Sequence, residues 1–373
     1  MRILVLSIEY PPVGGGASPQ AHEINKRYHQ LGHEVTVVTM HTGDLPLYEI
    51  IDGVEIIRVR CFRKDIHMSH LWEHIAFIYA GKRTLAKLFD QKKFDVCHTH
   101  FILPTGILSR WVKKKYRIPY IISAHGSDVP GYNPDRFQFI HKLSPRLIRS
   151  IIQEGAFIVF PSKYLRSLLQ EKFTAFDDKL VHLPSGIDTA NYSPGTKKPI
   201  LVSTGRLLPR KGFQYLIEVV ARKSYPIEVH ICGDGPFMGE LKAKALGSKT
   251  PIIFHGWIDN AGAKYKSLLA EASIYSLISA KENASTSLLE AMSSGCAVIT
   301  SNVSGCPESV GDAGICLPPA DVNALEQLLD KMVEDDAYRS HFMQAARMRA
   351  VTVFSWDSIV ERYLALLTKA MKV

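Results

Sequence analysis

Short runs of β-branched and aliphatic residues alternate with amphipathic segments of helix length from one end of the chain to the other. This alternation predicts parallel sheets whose strands are joined by crossover helices. In the first half the predicted strands lie near 3–8, 33–39, 54–60, 94–98, 120–124 and 157–160. In the second half they lie near 200–204, 227–232, 252–255, 273–278, 297–300 and 314–317, with a helix over 322–335.

The alternation lapses between residues 183 and 199, where Pro184-Ser185-Gly186-Ile187-Asp188 is followed by further prolines, a glycine and lysines. Such a composition is typical of an interdomain linker. Because 373 residues exceed one ordinary core, we predict two domains, 1–188 and 189–355, each an open α/β sheet. Each sheet should bind ligand beyond the carboxyl ends of its strands, and facing edges would form one cleft.

Composition narrows the class of protein. A hydrophobic content of 46% and a charged content of 22% fit a soluble globular protein. The six cysteines form no C-x-x-C pair, which predicts reduced thiols and no structural zinc site or disulfide framework. The apolar run at the start is too short for a signal peptide, and no run approaches the length of a membrane span. We therefore expect a cytoplasmic protein.

Charge is concentrated in one segment. The chain carries a net charge of +9, and residues 58–117 alone contain 14 basic and 4 acidic residues, including Lys113-Lys114-Lys115. Trp111 and Tyr116 flank these lysines, and basic residues beside aromatic ones favour an anionic membrane surface. A soluble acceptor steered by charge, or a solvated basic face, is the alternative. Nothing resembles a nucleic-acid-binding module, so nucleic acid is not an expected partner.

The segment 281–300 contains the most informative motif, in which Glu282 and Glu290 stand eight residues apart. Asn283, Ala284 and Ser285 lie between them and precede a helix pattern, so backbone N–H groups at the helix start can bind an anion. The two carboxylates can accept hydrogen bonds from sugar hydroxyl groups. This pattern predicts a nucleotide-sugar site. The alternative is that Glu282 only favours the helix start while Glu290 faces solvent.

Other candidate donor-binding residues follow strands of the second half. Gly205 and Arg206 end one strand and Lys211 opens the next helix, so the two basic side chains could converge on a diphosphate. Gly233 lies in a turn after another strand, and Trp257-Ile258 follows a third. These turns could line a nucleoside pocket or be plain loops.

In the first half, Gly14-Gly15-Gly16 follows the first strand and precedes a helix. Glycines at such a turn let the backbone approach a phosphate closely. The spacing is not that of a dinucleotide fingerprint, and the second strand does not end in an acidic residue. Both observations argue against a dehydrogenase.

Histidines end two further strands of the first half. His125 closes the fifth strand, where it would face the cleft, and Asp128 can orient nearby groups. His98 and His100 end the fourth strand, and we expect them to line the acceptor side. No third ligand has the usual spacing, so a metal site is not expected. A purely structural role is the alternative for His125.

Together these motifs resemble the retaining, nucleotide-sugar-dependent glycosyltransferases of family four, and the resemblance covers nearly the whole chain. It implies the GT-B fold, in which two Rossmann-like α/β domains with parallel sheets face each other across a cleft. It also implies that a C-terminal helix, near 356–373, crosses back to pack on the first domain.

The resemblance also implies roles for individual residues. Arg206 and Lys211 would bind the donor diphosphate, and Glu290 would bind the ribose. Glu282 would bind hydroxyls of the transferred sugar, and His125 would contact that sugar near the reacting carbon.

From these observations we predict a hexosyltransferase that retains the anomeric configuration and needs neither a metal nor a resident cofactor. The expected donor is a UDP-sugar. The expected acceptor is a glycan or a polyprenyl-diphosphate-linked sugar at the inner leaflet of the plasma membrane, in the synthesis of a cell-surface polysaccharide. A UDP-sugar epimerase of the same fold and a non-catalytic sugar-nucleotide-binding protein are the alternatives.

Overall fold

A computed structural model describes residues 1–66, 69–132 and 144–373 of the chain. The chain divides into two compact units. Unit 1 comprises Met1–Pro184 together with Trp356–Val373, and unit 2 comprises Ser185–Ser355. The first boundary thus falls within the predicted linker, a few residues before the predicted position at 188.

Among the described residues, each unit contains one sheet. The strands of unit 1 are β1 (Arg2–Leu6), β2 (Glu34–Thr42), β3 (Tyr48–Ile51), β4 (Val54–Arg63), β5 (Val96–His100), β6 (Tyr120–Ser123), β7 (Phe157–Phe160) and β8 (Leu180–His182). Those of unit 2 are β9 (Lys198–Thr204), β10 (Glu228–Cys232), β11 (Ile252–Gly256), β12 (Ala272–Leu277), β13 (Ala297–Ser301) and β14 (Ile315–Leu317).

Helices connect the strands, as the alternating pattern predicts. Those in the first part of the chain are α1 (Ala17–Gln30), α2 (Leu71–Gln91), α3 (Thr105–Tyr116), α4 (Pro145–Glu154) and α5 (Lys163–Gln170). Unit 2 contains α6 (Phe213–Arg222), α7 (Met238–Ala245), α8 (Ala263–Glu271), α9 (Thr286–Ser293), α10 (Cys306–Val310), α11 (Val322–Glu334) and α12 (Asp336–Val353), and α13 (Trp356–Ala370) returns to unit 1. Short 3-10 helices span Thr174–Lys179, Pro209–Lys211 and Gly311–Ala313.

The strand orders place a crevice in each sheet. In unit 1 the order is β3-β4-β2-β1-β5-β6-β7-β8, and in unit 2 it is β11-β10-β9-β12-β13-β14. All of these pairs are parallel except the antiparallel pair of β3 and β4. The connections diverge between β1 and β5, and again between β9 and β12, and ligands of open α/β sheets bind beyond the carboxyl ends of strands at such points.

Helix α13 belongs to the core of unit 1. Its residues Trp356, Ile359 and Leu367 are buried in one apolar cluster with Ile3 and Val5 of β1. Most of the stability of a helix in a protein comes from burying such apolar side chains. The packing of a C-terminal helix on the first domain, which the family resemblance implied, is confirmed.

Two strands depart from the predicted pattern. The predictions omitted β3, which is the antiparallel edge strand, and β8, which is three residues long. Each lies at an edge of the eight-stranded sheet, so each has a single neighbouring strand in the described structure. Among the described residues, no helix has both the length and the apolar composition needed to cross a bilayer.

Candidate functional site

Three glycines bring the loops after β9, β10 and β11 together at the carboxyl edge of unit 2. Gly205 and Gly233 have φ angles of +147° and +143°, which glycine adopts without strain. A Cβ atom on Gly233 would lie 1.9 Å from the carbonyl oxygen of Gly205. The Gly233 N–H also donates to the Gly256 carbonyl at 2.7 Å. Glycine is therefore required here because the loops are in backbone contact.

The next two predicted residues, Trp257 and Ile258, follow this glycine cluster. The Trp257 side chain is 76% exposed, whereas Ile258 is half-buried against the apolar core of unit 2. The structure thus brings Gly205, Gly233 and the Trp257-Ile258 segment to one sheet edge. An exposed aromatic ring beside close-packed backbone is suited to contact with a flat base.

A backbone contact brings the loop that contains Lys211 against the loop that follows β12. Gly212 has a φ of +77°, and a Cβ atom there would lie 1.9 Å from the Ile278 carbonyl oxygen. The Ala280 N–H donates to the Arg210 carbonyl at 2.8 Å. Any larger residue at position 212 would separate the two loops. The contact therefore fixes the position of Lys211 relative to the residues after β12.

As a result, Lys211 and Glu282 form an ion pair, in which the Lys211 ammonium binds Oε1 of the carboxylate. Their side chains are 16% and 11% exposed, and the Ser279 hydroxyl donates to the same oxygen at 3.0 Å. The ammonium has further N–H donors for a ligand anion. Glu282 Oε2 accepts no hydrogen bond from the described residues, so it is available for a hydroxyl.

Arg206 lies after β9 and is exposed. It forms no ion pair with any residue that the structure describes. Because the connections diverge between β9 and β12, Arg206 and Glu282 follow the two strands that flank this point. An unpaired guanidinium at this edge can bind phosphate oxygens in a bidentate manner.

Helix α9 begins directly after this loop. Ser285 is its N-cap residue, yet its side chain does not cap the helix and instead lies 3.0 Å from the Ser287 hydroxyl. The half-buried residues Asn283 and Ala284 precede it. The first N–H groups of α9 have no side-chain acceptor at the N-cap, so they can bind an anionic group.

Glu290 is buried inside a polar network in α9. The Tyr265 hydroxyl donates to Oε2 at 2.8 Å, and Thr204 Oγ1 lies 3.3 Å from the same hydroxyl. Burial raises the pKa of Glu290 to about 7, although hydrogen bonding to the carboxylate acts to lower it. The alternative in which Glu290 faces solvent is excluded because Glu290 is only 4% exposed.

This carboxyl gives the stability of the protein a pH dependence. Because the pKa is raised from 4.5 to about 7, the stabilising contribution is complete below pH 4.5 and is lost as the pH rises through 7. Relative to the Glu290→Gln variant, we expect the wild type to lose roughly 3 kcal/mol of unfolding free energy over that interval. Urea unfolding of both proteins at several pH values measures this difference. The amide does not titrate, so a constant difference would contradict the expectation.

In unit 1, His98 and His100 lie inside the sheet and not at its surface. His98 is fully buried in β5, with its ring nitrogens 3.2 Å from the Tyr28 hydroxyl and 2.8 Å from the Ser123 hydroxyl. His100 is also fully buried, and its Nδ1 lies 3.0 Å from Nε2 of His125. Both rings are enclosed by neighbouring side chains, so the burial of His98 and His100 does not support contact with an acceptor, and that contact stays a prediction.

His125 is the half-buried member of this histidine row. Burial lowers the pKa of His125 to about 4 and that of His98 to about 3. Both imidazoles are therefore neutral near pH 7. The pKa of His100 is also lowered by burial, and its Nε2 accepts or donates no hydrogen bond among the described residues. His125 can thus act on a ligand as a neutral hydrogen-bonding group and not as a cation.

Asp128 holds the turn that contains His125. Its Oδ1 accepts the N–H groups of His125 and Gly126, both at 2.9 Å, and its Oδ2 accepts the Ile102 N–H at 2.8 Å. Asp128 is only 4% exposed. It therefore positions backbone near His125, as expected of an orienting residue, but it does not itself offer an exposed carboxylate to an acceptor.

The glycine-rich loop after β1 has one conformationally required glycine. Gly14 has a φ of +109°, and a Cβ atom there would collide with the Glu9 side chain. A Cβ atom on Gly15 or Gly16 would have no neighbouring atom within 4 Å, and the Gly15 N–H donates to Glu9 Oε2 at 3.2 Å. Open space beside Gly15 and Gly16 is compatible with close approach of a ligand.

The lysine run at the end of α3 has partners on the surface of the protein itself. Lys113 Nζ donates to the Glu154 carbonyl at 2.7 Å, and Lys114 lies 3.4 Å from the Glu154 carboxylate. Lys115 lies over the rings of Trp111 and Tyr116. Cations in the last turn also stabilise the helix dipole. Contact of this run with a membrane stays a prediction, and residues 67 and 68 of the basic segment lie outside the described residues.

Two residues of the site were not predicted from the sequence. Ser279 lies two residues after the end of β12, and its position after a buried strand could have indicated it. Tyr265 occupies an ordinary apolar position of α8, so nothing distinguished it from a core residue. Within the described ranges, no group of three or more His, Cys, Asp or Glu residues is arranged to hold a metal ion.

Comparison with known structures identifies the fold. Sucrose-phosphate synthase from Thermosynechococcus elongatus superposes with a TM-score of 0.83 at 20% identity, over 100% of this chain and 99% of that chain. Anabaena HepE in complex with UDP-glucose gives a TM-score of 0.75 at 16% identity, over 99% of this chain and 100% of that chain. The fold is that of the GT-B glycosyltransferases, and the predicted fold class is confirmed.

Sequence comparison defines the family. The family described as Glycosyl transferases group 1 matches residues 188–349, and Glycosyltransferase Family 4 matches residues 14–191. An uncharacterized glycosyltransferase of Methanocaldococcus jannaschii is 25% identical over 399 residues, 100% of this chain and 99% of the relative. The alpha-monoglucosyldiacylglycerol synthase of Streptococcus pneumoniae is 23% identical over 325 residues, 80% of this chain and 70% of the relative. The chain belongs to the group 1 glycosyltransferases.

Proposed function

We propose that this protein is a retaining hexosyltransferase that uses a nucleoside-diphosphate sugar, with UDP as the nucleotide. The observation that carries the proposal is the Lys211–Glu282 pair at the crevice of unit 2, which combines a diphosphate-binding cation with a carboxylate for sugar hydroxyls. The UDP-glucose in the Anabaena HepE structure supports the choice of nucleotide.

In this proposal unit 2 binds the donor. Arg206 and Lys211 bind the diphosphate together with the first N–H groups of α9. Glu290 binds the ribose, and Glu282 binds hydroxyls of the transferred hexose. The exposed ring of Trp257 lies against the base.

The chemistry needs no protein nucleophile. The bond between the anomeric carbon and the diphosphate breaks, and the acceptor oxygen forms a bond to the same face of that carbon. The acceptor proton passes to the departing diphosphate. Arg206 and Lys211 stabilise the negative charge that develops on the leaving group, which is the charge a divalent cation neutralises in metal-dependent enzymes. Metal independence is part of the proposal, and full activity in EDTA is its test.

Unit 1 binds the acceptor in this proposal, with His125 as a neutral hydrogen-bonding group near the transferred sugar. The proposed acceptor is a glycan or a polyprenyl-diphosphate-linked sugar at the cytoplasmic leaflet, in the synthesis of an exported polysaccharide. The pneumococcal relative is a synthase of a glucosylated diacylglycerol, which supports a lipid-linked acceptor.

Nucleotide-sugar binding provides the first test. We expect UDP-sugars to stabilise the protein in a thermal-shift screen, by roughly 2.7 kcal/mol at 100 times Kd, and GDP- or ADP-sugars to do so less. Incubation with the stabilising sugar should then release UDP only when a lipid-linked or glycan acceptor is present. Conversion of the sugar without an acceptor would identify an epimerase, and binding without turnover would identify a sensor.

A further inference from the structure

Helix α2 has large apolar side chains on the face that points away from the core of unit 1. Leu71, Trp72, Ile75 and Tyr79 are each about half exposed or more, and Tyr79 is 62% exposed. Residues 71, 75 and 79 follow one another at intervals of four, so they form a stripe along one side of the helix. Isolated exposed apolar residues are common, whereas a continuous stripe indicates an interaction surface.

The opposite face of α2 accounts for its folding. Phe77, Leu85 and Leu88 are buried in the main apolar cluster of unit 1. The start of the helix is held by a capping box, in which Glu73 accepts the N–H groups of His70 and of Lys64. Since the buried face and the cap already stabilise the helix, folding of this chain does not explain the exposed stripe.

Two further exposed apolar residues precede the helix. Phe62 is the next-to-last residue of β4 and is 77% exposed, and Ile66 lies in the loop that follows the strand. The Ile66 carbonyl accepts the N–H of Gly14 at 2.7 Å. Ile66 therefore lies beside the glycine-rich loop at the carboxyl edge of the sheet. We define the apolar surface as Phe62, Ile66, Leu71, Trp72, Ile75 and Tyr79.

Basic residues continue the same side of α2 beyond the apolar stripe. Arg83 and Lys87 follow Tyr79 at intervals of four and are exposed, and Lys82 is half-buried. The Arg83 guanidinium lies 4.4 Å from the centre of the Tyr79 ring and donates to its hydroxyl at 3.1 Å. An aromatic ring with a polar tip beside a guanidinium is the arrangement found at the boundary between acyl chains and headgroups.

We infer that the apolar surface docks on an anionic lipid bilayer, with the apolar residues in the outer acyl region and Lys82, Arg83 and Lys87 against the headgroups. This inference extends the proposed function by naming a membrane-contacting surface, and it relies on that function only for the nature of the acceptor. Charge selects the occupant, because the three cations at the end of the stripe are complementary to anionic headgroups.

The proposed membrane contact lies on α2 and not on the lysine run at the end of α3. Lys113 and Lys114 bind groups of Glu154, and Lys115 lies over neighbouring aromatic rings, whereas the basic residues of α2 continue an apolar stripe. Insertion of apolar side chains into the bilayer contributes binding free energy that salt does not screen. Binding through α2 should therefore persist at a salt concentration that removes a purely electrostatic contact.

Vesicle binding by the full chain tests the inference. The variant is Trp72→Ser combined with Ile75→Ser and Tyr79→Ser. The control replaces three exposed apolar residues elsewhere, as Leu31→Ser, Leu246→Ser and Met348→Ser. Each protein is sedimented with vesicles of phosphatidylcholine alone and with vesicles that also contain phosphatidylglycerol. We expect the α2 variant to bind the anionic vesicles at least about tenfold more weakly than the wild type and the control.

Equal binding by the α2 variant and the wild type would overturn the inference, as would a wild type that binds neither kind of vesicle. A wild-type dimer that the variant dissociates, without vesicle binding, would also overturn it and would assign the face to a second copy. UDP-dependent thermal stabilisation is measured on all three proteins. Loss of vesicle binding with unchanged UDP stabilisation supports the inference, whereas absence of UDP stabilisation in every protein contradicts the proposed function alone.

Discussion

Replacing Lys211 by alanine is expected to lower the rate of sugar transfer by about 100-fold or more. Lys211 is held at the crevice of unit 2 by its ion pair with Glu282 and by the backbone contact of the neighbouring loop. A cation fixed before the donor binds needs no reorganisation when charge develops on the leaving diphosphate. The effect should therefore appear mainly in kcat, measured from UDP release at saturating donor.

A lysine elsewhere in unit 2 provides a matched control. Lys198 lies 2.8 Å from the Glu271 carboxylate, but its side chain is half exposed. Lys198→Ala also removes one positive charge and one ion pair, but Lys198 begins β9 at the end of the strand opposite to the site, so the variant should retain nearly full activity. Circular dichroism and thermal melting show whether Lys211→Ala is folded. Normal turnover by folded Lys211→Ala, or loss of wild-type activity in EDTA, would contradict the proposed role.

Replacing Gly233 by alanine is expected to destabilise unit 2 by more than about 2 kcal/mol and to abolish nucleotide binding. The new Cβ would lie 1.9 Å from the Gly205 carbonyl oxygen, at a φ of +143° that alanine rarely adopts. The loops after β9 and β10 would have to separate. Urea unfolding and UDP-dependent thermal stabilisation measure the two effects.

Gly239→Ala is the control for this substitution. Gly239 lies within α7 and needs no positive φ, and a Cβ atom there would have no neighbouring atom within 4 Å. Alanine in such a helical position should be neutral or slightly stabilising, because it restricts the unfolded chain. If both variants were equally stable and bound UDP equally well, close contact of the two loops would not matter for the site.

The sequence pattern predicted the buried strands well because each is a β-branched run between polar turns. The edge strand β3 was missed although the chain carries a signal for it. Asp52-Gly53, with φ angles of +49° and +78°, joins β3 to β4 in a two-residue turn of the kind that forms tight hairpins. Strand β8 has three residues, which is too short for a periodicity to identify.

The candidate site was predictable where it depends on local sequence. Glu282 and Glu290 were identified because they flank one helix start. The ion pair between Lys211 and Glu282 joins residues 71 positions apart and depends on the close contact at Gly212, so spacing could not predict it. The same holds for the hydrogen bond from Tyr265 to Glu290.

The histidines show a second kind of information that the sequence alone did not provide. A parallel strand covered on both faces buries every side chain, so a histidine at its end can face the interior as readily as a ligand. His98 is enclosed by Tyr28 and Ser123, which come from a helix and a neighbouring strand. Only the three-dimensional arrangement separates this histidine from His125, which remains half-buried.

Unit 1 is assembled from two stretches of chain that are separated by the whole of unit 2. During synthesis, residues 1–184 leave the ribosome first, yet the apolar surface that receives Trp356 and Leu367 stays uncovered until α13 has been made. Unit 2 is continuous and can complete its core before that. The part of the chain that is translated first is therefore the last to finish folding, and in the interval it presents an apolar surface that chaperones can recognise.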